Sequence, residues 1–181
     1  MDEERIIVRS AIPADVMYAG EIIHEMESSA IARGSGISKR SAASLIEKID
    51  SGKAIVAVTE DGEWAGFSYI ETWDDGKFVS NSGLIVSPRH RNQGVASEIK
   101  TQIFELSRSK YPGAMVFSIT TGAAIMKMNT RLGFEPVTYA DIAREPGFWD
   151  GCKSCVNYDV LQSKSRCNCL CTAMLFNPSK N

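Results

Sequence analysis

Arg91, Gly94 and Ala96 stand in the run SGLIVSPRHRNQGVASEIK, residues 82–100. Their spacing suits the capture of an anion. A short apolar run meets Pro88, a basic patch follows (Arg89, His90, Arg91), and from Gly94 onward Val95, Ile99, Ile103 and Leu106 recur at helical intervals. A helix start presents unpaired backbone N–H groups and the positive end of the helix dipole. Phosphate is the usual occupant of such a place. Glycine lets the backbone come close to a ligand, and an arginine adds charge-assisted hydrogen bonds. Arg91, Asn92, Gln93, Gly94, Val95 and Ala96 therefore read as a pyrophosphate cradle on a strand-to-helix turn. The plainer alternative is a helix start preceded by a solvated basic loop. The run is not a Walker loop, because no Gly-Lys-Ser/Thr follows. Nor is it a dinucleotide fingerprint, because its strand comes third in an antiparallel meander rather than first in a βαβ unit.

The elements around this turn follow from hydrophobic period and turn chemistry. RIIVRSA (5–11) reads as a strand, and Pro13 opens a helix whose apolar face carries Val16, Ala19, Ile23 and Met26. IARGSGIS is a loop. A second helix presents Ala42, Leu45, Ile46 and Ile49 and ends before Gly52. AIVAVTE and EWAGFSYIETW flank Asp61-Gly62, a hairpin signal. After Asp74-Asp75-Gly76, KFVSNSGLIVS completes the meander. Residues 114–120 read as a strand, 123–132 as a short helix ending at Gly133, FEPVTY as a strand, and 168–176 as a last strand; 141–166 has no clear period. The expectation is one α/β domain over 1–181 with an α+β mixed sheet. In it an antiparallel meander joins a partly parallel sheet with helices on both faces. Residues 141–181 form a cysteine-containing segment that completes the sheet.

With the elements in order, LIVSPRHRNQGVASEIK resembles motif A of the GNAT superfamily of acyl-CoA-dependent N-acyltransferases, with signature R/Q-x-x-G-x-G/A matched by Arg91, Gly94 and Ala96. MNTRLGFEPV (128–137) resembles the family's second landmark, a short helix leading into a leucine-glycine-phenylalanine strand entry. The resemblance spans roughly residues 5–140 and implies a GNAT-like fold, acetyl-CoA as co-substrate and transferase activity of class EC 2.3.1.-. It also implies that main-chain groups of Leu84, Ile85 and Val86 bind the pantetheine arm. An N–H near Val86 would then stabilise the oxyanion formed when an amine attacks the thioester directly.

The same resemblance exposes a departure. Many members carry a tyrosine acid five positions before the landmark phenylalanine; that position is Asn129, which can hydrogen-bond the cofactor but donates no titratable proton. The asparagine often found seven residues earlier is Gly122. Glu71, Tyr139 and Tyr158 are the replacement catalytic candidates, each with a packing or surface role as its alternative. His24 suits a polar helix face, and His90 suits the phosphates.

All five cysteines fall between 152 and 171: Cys152-x2-Cys155, then Cys167-x-Cys169-x-Cys171. Cys152, Cys155, Cys167 and Cys169 are possible zinc ligands. Buried or free thiols and redox pairing are the alternatives, and a strand over 168–176 would point the last three thiols to one face.

Arg33, Lys39 and Arg40 cluster after the first helix, where the family places its acceptor site, and cations there suit an acidic small molecule. CVNYDVLQSKS resembles the asparagine-tyrosine segment near the end of bacterial N-acetylglutamate synthases. Acetyl transfer to the amine of a small acceptor, possibly glutamate, is the favoured reading. A protein or peptide N-acetyltransferase and a non-catalytic acyl-CoA sensor are the alternatives. The formal net charge of -2 gives no nucleic-acid footprint. The acidic start MDEERIIVRS lacks a signal-peptide core, and no window has the apolar length of a membrane span. A cytoplasmic protein with no membrane or nucleic-acid partner, possibly a homodimer, is expected.

Overall fold

The computed structural model describes residues 4–180; Met1–Glu3 of the acidic start and Asn181 lie outside it. Its centre is a seven-stranded sheet in the order β1-β2-β3-β4-β5-β7-β6. The strands are β1 (Ile6–Ser10), β2 (Ala54–Thr59), β3 (Trp64–Trp73), β4 (Phe78–Val86), β5 (Met115–Thr120), β6 (Glu135–Val137) and β7 (Thr172–Phe176). Every neighbouring pair is antiparallel except β4 with β5.

The helices are α1 (Ala19–Arg33), α2 (Ala42–Asp50), α3 (Val95–Lys110), α4 (Ala123–Arg131), α5 (Pro146–Asp150) and α6 (Tyr158–Ser163). Pro13 begins a 3-10 turn over Pro13–Tyr18 rather than α1 itself. α1 runs on through Arg33, past the boundary drawn from the sequence, and stops at Gly34 in the left-handed conformation (φ 60°). α2 starts where the Ser41 side chain accepts from the Ser44 N–H.

Alternation along the strands divides the core between two faces. On one, Ile22, Met26, Leu45 and Ile49 of α1 and α2 pack on Val56, Phe67 and Tyr69. On the other, Ile99 and Ile103 of α3 pack on Ile55, Ile70 and Val79. The same division continues past β4. Phe117 and Ala173 face Tyr139, Ile142, Trp149 and Leu161 of the C-terminal segment, whereas Val116 and Met174 face Phe134 on the α3 and α4 side. The turn between β3 and β4 pins that segment: Asp74 accepts from the N–H groups of Arg144 and Glu145 at 2.8 and 2.7 Å.

Two expectations for the C-terminal segment are corrected. Residues 141–166 contain α5, α6 and a 3-10 turn over Gly151–Ser154. The final strand begins at Thr172, not at 168, because β5 ends at Thr120, opposite Thr172, and no strand lies beside 167–171. Ser165 and Arg166 turn the chain with positive φ, and the Cys169 N–H bonds Asn168 Oδ1 locally. The C-x-C-x-C run is therefore loop, and its thiols do not share a strand face.

Candidate functional site

β4 and β5 part company at one point. They pair as parallel strands only over Phe78–Ser80 and Met115–Phe117. Beyond Ser80 the sheet opens, and a cavity extends along both walls, lined by Ser80 to Ile85 on one side and Phe117 to Thr121 on the other. Within this stretch β4 also loses step with β3: Phe67 faces Ile85 and Tyr69 faces Ser82, so Gly83 and Leu84 bulge out of the ladder. Gly83 has φ +66°, and a Cβ there would meet Tyr69 Cε1 at 2.7 Å. A glycine is required on both counts. Gly83 and Leu84 both line the cavity.

Leu84 and Ile85, expected as main-chain binders, line the cavity. Val86 does not; it is buried and opposite Gly66 in the β3 ladder. The bulge itself was signalled in the sequence only by an isolated glycine inside a strand pattern.

At the far end of β4 the chain enters the turn, residues 91–96, where the sequence led to the expectation of a cradle. Asn92 (φ 63°) and Gly94 (φ 81°) take left-handed conformations just before the start of α3. No side chain caps that helix start. A Cβ on Gly94 would meet nothing within 4 Å, so the glycine serves backbone angle and open floor, not packing. Arg91, Asn92, Gln93 and Gly94 are exposed around it, with Val95 and Ala96 beneath.

Arg91 has a further engagement. Its Nη2 donates to Glu25 Oε1 at 2.6 Å and Ser29 Oγ at 2.8 Å, and its Nε donates to the Val86 carbonyl at 3.2 Å. The guanidinium thus clamps the cradle turn to α1, and its charge is shared with a carboxylate. His90 is buried, and its ring lies within 4.8 Å of carboxylate oxygens of Glu4 and Glu63.

The cavity's remaining walls come from two distant segments. Arg33, Ser35 to Ser38 and Arg40 approach from the end of α1, and Phe148, Trp149, Cys152, Cys155, Tyr158 and Leu161 approach from the C-terminal segment. These segments touch: the Lys39 N–H donates to Ser154 Oγ at 2.9 Å, and a Cβ on Gly36 would collide with Cys155 Sγ. Arg40 donates to the Tyr69 hydroxyl at 2.6 Å and the Ser38 carbonyl at 2.8 Å, which holds its guanidinium at the wall. Lys39 lies off the cavity.

The catalytic candidates are scattered. Glu71 is off the cavity and pairs with Lys48 at 2.7 Å. Tyr139 lines it, but its hydroxyl donates to the Cys171 carbonyl at 2.7 Å. Burial, then the neighbouring thiols, pushes its ionisation well above the usual phenol range. Tyr158 lines the cavity with its hydroxyl accepting from Gln162 at 3.2 Å. Asn129 is off the cavity: it is fully buried, its Nδ2 meets only Met174 Sδ at 3.6 Å, and its Oδ1 has no partner. His24 faces Ser28 along α1.

Cys152, Cys155, Cys169 and Cys171 all line the cavity, and Cys167 is exposed. All five are free thiols. Among the described residues no three of their sulfurs lie within 4.8 Å of one another. Tetrahedral zinc with Zn–S near 2.3 Å needs sulfurs roughly 3.8 Å apart, closer than this arrangement brings any three of them. Burial, then the other cysteines, pushes the Cys171 thiol up to about 12.

Residues 23–134 match the model of the acetyltransferase (GNAT) family. No curated protein matches the chain. Among solved structures, N-acetylglutamate synthase from Neisseria gonorrhoeae, complexed with coenzyme A and N-acetyl-glutamate, superposes with TM-score 0.66 at 16% identity over 96% of this chain and 35% of its own. This chain thus spans about a third of that protein. Rv2747 from Mycobacterium tuberculosis, solved with CoA, gives TM-score 0.65 at 18% identity over 94% of this chain and 98% of its own. A phosphinothricin acetyltransferase from Sinorhizobium meliloti, solved with AcCoA, gives 0.61 at 16% over 94% and 86%. The mixed seven-stranded architecture is that of these proteins. Among the described residues no helix is long and apolar enough to cross a membrane.

Proposed function

The chain belongs to the acetyltransferase (GNAT) family, and on that premise we propose that it moves the acetyl group of acetyl-CoA to the amine of a small acidic acceptor, an amino acid such as glutamate. The cofactor-side residues fit this reading. The exposed N–H groups from Asn92 to Ala96 suit the pyrophosphate, with open space above Gly94. The gap between β4 and β5 suits the pantetheine arm, which would lie along Leu84 and Ile85. A backbone N–H of the Gly83–Leu84 bulge is in position to stabilise the oxyanion as the acceptor amine attacks the carbonyl carbon. The amine must arrive unprotonated, and its proton passes to water in the cavity, which Tyr158 lines.

The observation that carries the acceptor class is the presence of two guanidinium groups, Arg33 and Arg40, in the same cavity as the opened edge of β4. Guanidinium recognises carboxylate through paired hydrogen bonds. The contact between the α1–α2 loop and the C-terminal segment joins two walls of the cavity, which favours a small acceptor over a polypeptide.

The test is thiol release from acetyl-CoA against acidic amino acids, neutral amino acids, polyamines and peptides. Turnover with an acidic amino acid, lost in Arg40→Gln, supports the reading. Turnover confined to peptides or polyamines overturns it.

A further inference from the structure

The transfer reaction leaves His90 without a task. It is 3% exposed, and among the described residues its ring makes no hydrogen bond or ion pair. A buried imidazole normally satisfies both ring nitrogens, and one that does not marks a ligand or a special role. A ring nitrogen of His90 and a carboxylate oxygen from each of Glu4 and Glu63 all lie within 4.8 Å of one another. Both glutamates are exposed. The ring thus reaches two carboxylates without pairing with either.

The three side chains come from three parts of the chain. Glu4 precedes β1, Glu63 stands in the β2–β3 hairpin, and His90 ends a 3-10 turn over Pro88–His90 that follows β4. Main-chain bonds hold each position. The Glu60 N–H donates to the Arg5 carbonyl at 3.1 Å, which ties the segment before β1 to the hairpin. Within the hairpin the Thr59 N–H donates to the Glu63 carbonyl at 2.9 Å, and the Glu63 N–H donates to Thr59 Oγ1 at 3.0 Å. The His90 N–H donates to the Ser87 carbonyl, and the Ser87 N–H donates to the Ala65 carbonyl of β3, both at 2.9 Å. The backbone at the three positions is therefore fixed before any ligand arrives.

Charge and chemistry point to a cation. Two converging carboxylates repel each other. Arg89 Nη1 engages one oxygen of Glu63 at 2.7 Å, whereas Glu4 has no ion pair among the described residues. Glu63 and His90 also line a cavity of about 290 Å³, which gives an ion room for its waters. Trp64 lines the same cavity, and its buried indole N–H has no acceptor among the described residues. One imidazole nitrogen and two carboxylate oxygens, with no thiolate, suit an ion of intermediate hardness. Three protein ligands leave the other positions of an octahedral ion to water. Manganese(II) meets both conditions, and it has little affinity for the free cysteines elsewhere in the chain.

We propose that Glu4, Glu63 and His90 form a binding site for a divalent metal ion of the manganese type. The cavity beside it shares no described lining residue with the one between β4 and β5. A bound ion would link the segment before β1, the β2–β3 hairpin and the turn that runs into Arg91. Its role is to fasten these three, and neither acetyl-CoA nor the acceptor takes part.

Manganese(II) titrated into the chain, followed by calorimetry and by proton NMR of the histidine rings, tests this. One ion per chain is expected. The chain has two histidines, and the His90 ring signals should broaden at a lower ion level than those of His24. Glu4→Gln removes a ligand at an exposed position, and affinity should fall about tenfold or more. His90→Gln should lose as much. Glu60→Gln, in the same hairpin but outside the three, should stay within about twofold. The ion should raise the melting temperature of wild type and not that of Glu4→Gln. No binding up to about 1 mM ion overturns the proposal, and so does a His90→Gln protein that binds like wild type. An equal loss in Glu4→Gln and Glu60→Gln would mean a diffuse acidic surface, which overturns it too. If His90→Gln melts lower without metal, Glu4→Gln decides the matter, because it keeps the buried ring.

Discussion

Arg91 Nη2 and Glu25 Oε1 lie 2.6 Å apart, so the turn that leads into α3 is tied to α1, the helix that carries Met26 and Arg33 into the cavity. One guanidinium spans three acceptors on two elements. Arg91→Ala leaves the mostly buried Glu25 carboxylate with only the Ser29 hydroxyl as a donor and no counter-charge. We expect a loss of about 1 kcal/mol in stability and a rise of about tenfold in KM for acetyl-CoA. Arg91→Lys should recover only part of either, because a single ammonium cannot reproduce the fork. Thermal melts and steady-state kinetics on the two variants check this.

Gly94→Ala separates backbone from binding. The left-handed φ of 81° costs an alanine about 1 kcal/mol, and its methyl meets no protein atom. The stability loss should be limited to that strain. The methyl would stand on the cradle floor, so CoA affinity in calorimetry should drop by well over the fivefold that the strain alone represents.

The meander and the start of α3 were legible because they depend on local chemistry: Asp61-Gly62 sets a hairpin, and a strand running into Gly94 sets a helix start. What escaped depends on distant pairing. Nothing near Arg91 in the sequence announces Glu25 or Ser29. The burial of Asn129 follows from β7 arriving from 172–176 to cover it with Met174. Glu71 looked available as a base until α2 brought Lys48 alongside. Gly83 was visible only as a glycine in a strand, and its reason is the ring of Tyr69 and the bulge facing Ser68. The cysteine run read as strand because its alternation is correct, but the sheet has no partner to offer it.

Arg33→Gln and Arg40→Gln should each raise KM for an acidic acceptor by about tenfold or more, the worth of a charged hydrogen bond. KM for acetyl-CoA should stay within about twofold, because neither residue belongs to the cradle. Arg33→Gln is the cleaner of the two, because Arg40 also anchors Tyr69 and Ser38. Initial rates at varied acceptor and fixed acetyl-CoA report the split.

Acid should loosen the N-terminal turn. Burial of Asp15 alone would raise its pKa, but hydrogen bonds from Arg9 and from the Ile12 N–H outweigh it and hold the carboxyl below its ordinary value. A carboxyl depressed in the folded state stabilises at pH above its unfolded value, about 3.9. That stability disappears as pH falls from there through the folded value. Asp15→Asn should therefore melt lower than wild type at pH 7, and the gap should close as pH drops below about 4. Melting curves across that range measure it.

Alkylation should rank the thiols. Cys167 is exposed and should react first; Cys171, whose thiol burial pushes up to about 12, should react last. Reduced protein should carry well under one zinc per chain by metal analysis. Saturation of the added acceptor should slow labelling at Cys152 and Cys155 but not at Cys167, read by peptide mass spectrometry.

The insertion of β7 between β5 and β6 sets an order of assembly. β1 to β4 are joined by neighbours in sequence, and they can pair as the chain emerges. β6 has no partner in the sheet until residues 172–176 have been made, and the inner edge of β5 stays bare for the same interval. The wall of the cavity carrying Phe117 and Ile119 is therefore the last to set. Contacts of long sequence separation close late and leave strand edges exposed meanwhile. A chain released before Thr172 would keep its cradle and offer a sticky, unpaired strand where the acceptor wall belongs.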